Sequence, residues 1–170
     1  MKAPGTTIGF YYRQAMLLGG LLISLAGCKK DTTVAPPQLV DIKADLLSNL
    51  NALRAKGCYC GTDSMKPVKP VIWNDELQKA AADHAKDMYD KNYFAHVSPQ
   101  GVTPGDWAKQ EGYNAVSLGE DIAQNYDATA ATVMAWKDSP EHCTVMMDST
   151  YHEAGAARYG NYWVLLMGKR

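Results

Sequence analysis

The sequence predicts an α+β sandwich, with helices packed on a small, largely antiparallel sheet that ends in a C-terminal hairpin. Two segments carry apolar residues at helical spacing: Leu39, Ile42, Leu46, Leu50 and Leu53, then Leu77, Ala81, His84 and Met88. The C-terminal stretch "EAGAARYGNYWVLLMGK" is two extended runs around Gly160-Asn161, a two-residue hairpin signal. No internal repeat, Gly-rich phosphate loop or long low-complexity tract points to another architecture.

In chain order, the first amphipathic helix closes at Gly57, a residue suited to the position after a helix end. "CYCGTDSMKPVKPVIW" then breaks the pattern and reads as a loop. Asn74 is placed to cap the second helix, with Asp75 and Glu76 in its first turn. His84 lies on that helix's apolar stripe and reads as a packed, hydrogen-bonded histidine rather than a ligand. A loop with a short helix from Pro104 to about Glu111 follows, then a brief strand in "SLGEDIAQNY" and a helix over "DATAATVMAWKDS". Ser139-Pro140 starts a further helical turn, with serine as cap and proline in the first position. In the last hairpin, Ala154, Gly155, Ala156 and Ala157 leave room for a helix to approach, and Tyr162 to Met167 read as a strand covered on both faces. Trp73, Trp107, Trp136 and Trp163 read as core residues before groove residues.

The N-terminal end reads differently. Lys2 and Arg13 precede a short apolar run, "AMLLGGLLISLAGC", in the pattern of an export signal too short to favour a membrane span. "LAGC" resembles a bacterial lipobox, which implies lipidation of Cys28 after removal of residues 1–27. Residues 28–37 then form a polar, proline-bearing tether, and residues 38–170 form one domain. Lys29 favours outer-membrane placement over retention at the inner membrane. Loss of Lys2 and Arg13 takes the formal charge from −1 to −3, which argues against a nucleic-acid partner. A monomer tethered to a membrane is the expected state.

Three cysteines follow Cys28: Cys58, Cys60 and Cys143. In an exported chain they read as one disulfide plus a leftover thiol, with a three-cysteine zinc site as the rival. His142 and Cys143 are neighbours in "SPEHC", but adjacent residues on a helix point about 100° apart, so they do not form a nucleophile and its base. His152 reads as a surface residue.

The ordered set "RAKGCYCGTD", "IWNDELQKAAADHAKDM", "YFAHVSPQGVTPGDW", "LGEDIA", "AWKDSPEHC" and "YWVLLMG" resembles the CAP superfamily of cysteine-rich secretory, antigen 5 and pathogenesis-related 1 proteins, in its bacterial SCP-like branch. The resemblance runs from about Gln38 to the C-terminus. It implies a three-layer α-β-α sandwich with a cleft holding His96, Glu120 and His142, and Glu141 or Asp138 as weaker second acids. Asp121 stands where the family often has asparagine, adding an acid beside the cleft, and Val145 replaces a family asparagine. The resemblance favours a Cys60–Cys143 disulfide over Cys58–Cys143, because Cys60 precedes Gly61. It implies a binding module for lipid, glycan or protein ligands, with an extracellular hydrolase, a protease or cell-wall-acting enzyme, as the alternative. No cofactor is required, although His96 and His142 could take a divalent metal such as zinc.

Overall fold

The computed structural model describes residues 37–170. The expected signal segment, Cys28 and nearly all of the tether lie outside the described residues. No helix among the described residues is long and apolar enough to cross a membrane.

The chain runs through β1 (Leu39–Val40), α1 (Lys43–Lys56), β2 (Cys58–Cys60), β3 (Asp63–Met65), β4 (Ile72–Trp73), α2 (Asp75–Lys91) and α3 (Pro104–Gln110). It continues through β5 (Ser117–Gln124), α4 (Thr129–Asp138), α5 (Pro140–Met147), β6 (Glu153–Tyr159) and β7 (Tyr162–Lys169). The main sheet has the order β1-β6-β7-β5, with β4 joined to β6 in parallel and the remaining pairs antiparallel. This is the expected α+β class, closed by the β6–β7 hairpin around Gly160-Asn161.

Strand alternation builds the two cores. On β7, Trp163, Leu165 and Met167 face one layer, where they meet Leu46 and Leu50 of α1, Val133 and Trp136 of α4, and Met146 of α5. Tyr162, Val164 and Leu166 face the other, against Leu77, Ala81, Ala85 and Met88 of α2 and Ala108 of α3. Every residue from Tyr162 to Gly168 is buried, as a strand between two helical layers requires. Gly155 permits the closest approach. A Cβ there would overlap the α2 backbone at Leu77 and Gln78.

Local chemistry sets the helix ends. Asn74 accepts a hydrogen bond from the Leu77 amide at 2.9 Å, as expected. Thr103 and Asp106 cap α3 reciprocally. Gly57 ends α1 with φ +72°, and a Cβ there would collide with the Met65 carbonyl.

Three expectations change. The first helix begins at Lys43, because Leu39 and Val40 instead pair with Tyr159 and Arg158 of β6. The cysteine-bearing loop contains a short hairpin in which Cys58 pairs with Met65 and Cys60 with Asp63. Ser139 occupies the cap position of α5, but its side chain makes no capping bond.

Candidate functional site

Glu120 is the centre of the site. It lies on β5, the strand at the edge of the sheet, with a side chain that is 2 % exposed and turned toward α2. His84, on the buried stripe of α2, places Nδ1 2.7 Å from Glu120 Oε2. His96, in the loop after α2, places Nδ1 2.8 Å from Glu120 Oε1. One carboxylate therefore joins two imidazoles.

The hydrogen bonds constrain where the protons lie. A carbonyl only accepts, so His84 Nε2–H donates to the Ala95 carbonyl at 3.1 Å. The Nδ1–Oε2 contact then needs a second proton, held either as imidazolium against carboxylate or as imidazole against carboxylic acid. In both forms His84 and Glu120 are neutral as a pair, which is how a fully buried histidine and acid are tolerated. Trp107 stacks on the His84 ring, with centroids 5.8 Å apart and planes 18° from parallel. His96 differs in being half exposed. Its hydrogen bond to Glu120 raises its proton affinity, against a smaller opposing effect of burial.

His142 comes from the opposite layer, in the first turns of α5. Burial lowers its proton affinity, and the charge of nearby His96 lowers it further. It lines a cleft of about 360 Å³ along the edge of β5, with Phe94 on one side, Ser139 and Trp136 on the other, and Ile122 and Gln124 on the strand. Trp136 Nε1–H donates to the Ile122 carbonyl at 3.0 Å, tying α4 to that edge. The cleft thus lies where the two layers meet.

The other acids stand apart. Asp121 is not beside the cleft. Strand alternation turns it into the opposite core, where it is fully buried and neither carboxylate oxygen has a partner. Burial, and secondarily the charge of Glu120, pushes its carboxyl well above the ordinary range, so the site is reached by Glu120 alone. Asp138 is exposed and accepts from Lys137, while Glu141 is exposed on α5, where its charge slightly favours protonation of His142. Val145 packs against the core, and His152 is exposed as expected.

The hydrogen-bonded cluster is His84, Glu120 and His96, with His142 near His96 but outside it, an arrangement that does not build a zinc site. Both Glu120 oxygens are occupied by ring nitrogens, which leaves two imidazoles where zinc takes three or four protein ligands. Among the described residues, donor atoms of three such residues converge within 4.8 Å at Cys58, Cys60 and Cys143. Two of those sulfurs are joined: Cys60–Cys143 is the disulfide, with Cys58 free.

Arg54 supports the site from below, a role that sequence reasoning did not assign. It is fully buried, and its guanidinium donates to the carbonyls of Lys69 (2.9 Å), Met146 (2.6 Å), Asp148 (3.1 Å) and Tyr151 (3.3 Å). Met146 and Asp148 are at the C-terminal end of α5, where a cation satisfies orphan carbonyls and opposes the helix dipole. The disulfide holds the middle of α5 and Arg54 holds its end. Together they fix the helix that carries His142. The signal was present in the spacing: Arg54 is four residues beyond Leu50, on the same stripe as Leu46.

The profile of the cysteine-rich secretory protein (CAP) family matches residues 47–165, most of the described domain. The chain belongs to this family. Two Bacillus subtilis (strain 168) proteins are similar to it. The uncharacterised protein YkwD is 29 % identical over 78 % of this chain and 49 % of its own length, and the uncharacterised membrane protein YlbC is 30 % identical over 84 % and 36 %. The chain therefore spans half or less of these relatives. Among solved structures, an extracellular SCP-domain protein of Bacillus anthracis superposes with a TM-score of 0.67 at 22 % identity, covering 75 % of this chain and 40 % of that one. An outer surface protein of Borrelia burgdorferi gives 0.66 at 22 % identity, covering 79 % and 98 %. These structures establish the bacterial SCP-type fold, and the three-layer arrangement agrees with it.

Proposed function

We propose that this CAP-domain protein is exported, anchored through a lipid on Cys28, and acts by binding a lipid, glycan or protein ligand of the cell envelope in the cleft that His142 lines, with the His96–Glu120 pair as its neighbour. The observation that carries a binding role is the state of Glu120: it is buried, and both of its oxygens are committed to histidines. A carboxylate so held makes a poor general base, and Cys143, bound in a disulfide, offers no nucleophile. Phe94, Tyr126, Gln124 and Asn125 around the cleft combine aromatic faces with amide groups, a mixture that favours a glycan or peptide over a purely apolar chain. A disulfide suits an oxidising compartment, and two structural neighbours, an extracellular protein and an outer surface protein, point the same way.

The hydrolase reading rests on His142, whose lowered proton affinity leaves a lone pair available near neutral pH. Co-sedimentation of the protein with peptidoglycan, envelope glycans and lipid vesicles, beside release of soluble products, separates the two. Binding is expected to weaken in His142→Ala with no product released. Product formation lost in both His142→Ala and Glu120→Gln would replace binding with hydrolysis.

A further inference from the structure

We propose that Cys58, Cys60 and Cys143 form a thiol–disulfide exchange site in which Cys58 is the attacking thiol and Cys143 the shared sulfur, so that two disulfide isomers of this protein are populated. The Cys58 sulfur lies 3.5 Å from the Cys143 sulfur, and all three sulfurs fall within 4.8 Å of one another. Cys58 and Cys60 are two residues apart on β2, so their side chains leave the same face toward α5. That repeat presents two interchangeable partners to one cysteine. The sulfurs form a compact triangle, with Cys58 beside the bond and not behind it. Attack requires the Cys58 sulfur to move into line with that bond.

The step is balanced without an external oxidant. The Cys58 thiolate attacks Cys143 Sγ, the Cys58–Cys143 bond forms, the Cys60–Cys143 bond breaks, and the Cys60 thiolate leaves and takes up a proton. Access is asymmetric. Cys60 and Cys143 are buried, whereas Cys58 is only partly covered and lines an apolar groove between α1 and α4. Burial raises the Cys58 thiol and Lys137 of α4 partly offsets this, which makes exchange slow at neutral pH and faster as pH rises. Lys56 from α1 and Lys66 beyond β3 are the other charged groups around it, and Lys137 is itself paired with Asp138. After exchange the buried Cys60 thiol would sit among Met147, Met65 and Val68, surroundings suited to a neutral thiol.

The test is thiol mapping of the full chain. Protein held at pH 8.5 is quenched in acidic guanidinium with N-ethylmaleimide, reduced, and alkylated with iodoacetamide. Fragment ions on either side of Tyr59 then distinguish Cys58 from Cys60. The maleimide label is expected on both, with at least about one part in eleven on Cys60, the proportion left by a tenfold bias, or about 1.4 kcal/mol, between the isomers. Cys60→Ser is expected to form the Cys58–Cys143 bond and remain folded. Label confined to Cys58 in the wild-type protein after prolonged incubation at pH 8.5 overturns the proposal, whatever the variant does.

Discussion

Replacing Arg54 by methionine keeps most of its volume and removes the guanidinium that gathers four carbonyls at 2.6 to 3.3 Å. Each charge-assisted hydrogen bond contributes about 1.5–3 kcal/mol, and the gain from no longer burying a cation offsets part of that sum. Burial lowers the proton affinity of Arg54 while Asp148 raises it, and an arginine stays charged through either effect. A net loss of about 3 kcal/mol is expected, which corresponds to roughly 10 °C in Tm or about 2 M in the urea midpoint for a domain of this size. Arg54→Lys should lose about 2 kcal/mol, because an ammonium cannot reproduce the planar fork. Urea unfolding followed by tryptophan fluorescence measures both. A methionine variant within about 0.5 kcal/mol of wild type would refute the reasoning, since it would mean that water or backbone relaxation satisfies those carbonyls equally well.

Three further predictions concern the two adjacent acids of β5 and Gly155 of β6. In Glu120→Gln the amide can still donate to His84 and accept from His96, so the fold should survive while the His96 titration midpoint falls toward an ordinary histidine. NMR titration checks this, and an unchanged midpoint would contradict it. The sign follows from the raised proton affinity of His96: its pairing with Glu120 stabilises fully below the unfolded-state value near 6.5 and fades as pH rises through the folded value. Asp121 behaves oppositely to a paired acid, because folding takes up a proton and its cost grows as pH rises above the unfolded value near 3.9. Asp121→Asn should therefore be more stable than wild type at pH 7, with the gap closing below about pH 4; equal stability at both pH values would count against a buried, unpaired acid. Gly155→Ala forces a methyl group into the α2 backbone and should cost about 3 kcal/mol in thermal unfolding, whereas a neutral result would show that α2 can move away.

What the sequence disclosed depended on how local each signal was. The second helix was legible from Asn74 to Met88, because its cap and its stripe lie within the segment. The final hairpin was legible from Gly160-Asn161 and the apolar run after it. β1 and β4 were not, because two-residue strands exist through partners elsewhere, such as Tyr159 for Leu39 or Glu153 for Ile72, and β2 and β3, though they pair locally, are three-residue runs too short to show an alternation. At the site, the expectation that His84 is packed and hydrogen-bonded holds. Its partner, Glu120, lies 36 residues away, so its place in the cluster could not be read from periodicity. Asp121 was misplaced because a resemblance in sequence does not say which face of a strand a residue takes.

The adjacent acids of β5 have a consequence for assembly. Glu120 meets two histidines in one layer while Asp121 enters an apolar core in the other. A slip of one residue against β7 would exchange them, stranding a glutamate among Trp136, Met146 and Leu165 and withdrawing the carboxylate that neutralises His84. An edge strand has one neighbour to fix its register, so it is the strand most open to such an error. The Glu120–His84–His96 cluster therefore also proofreads the last seam of the sheet.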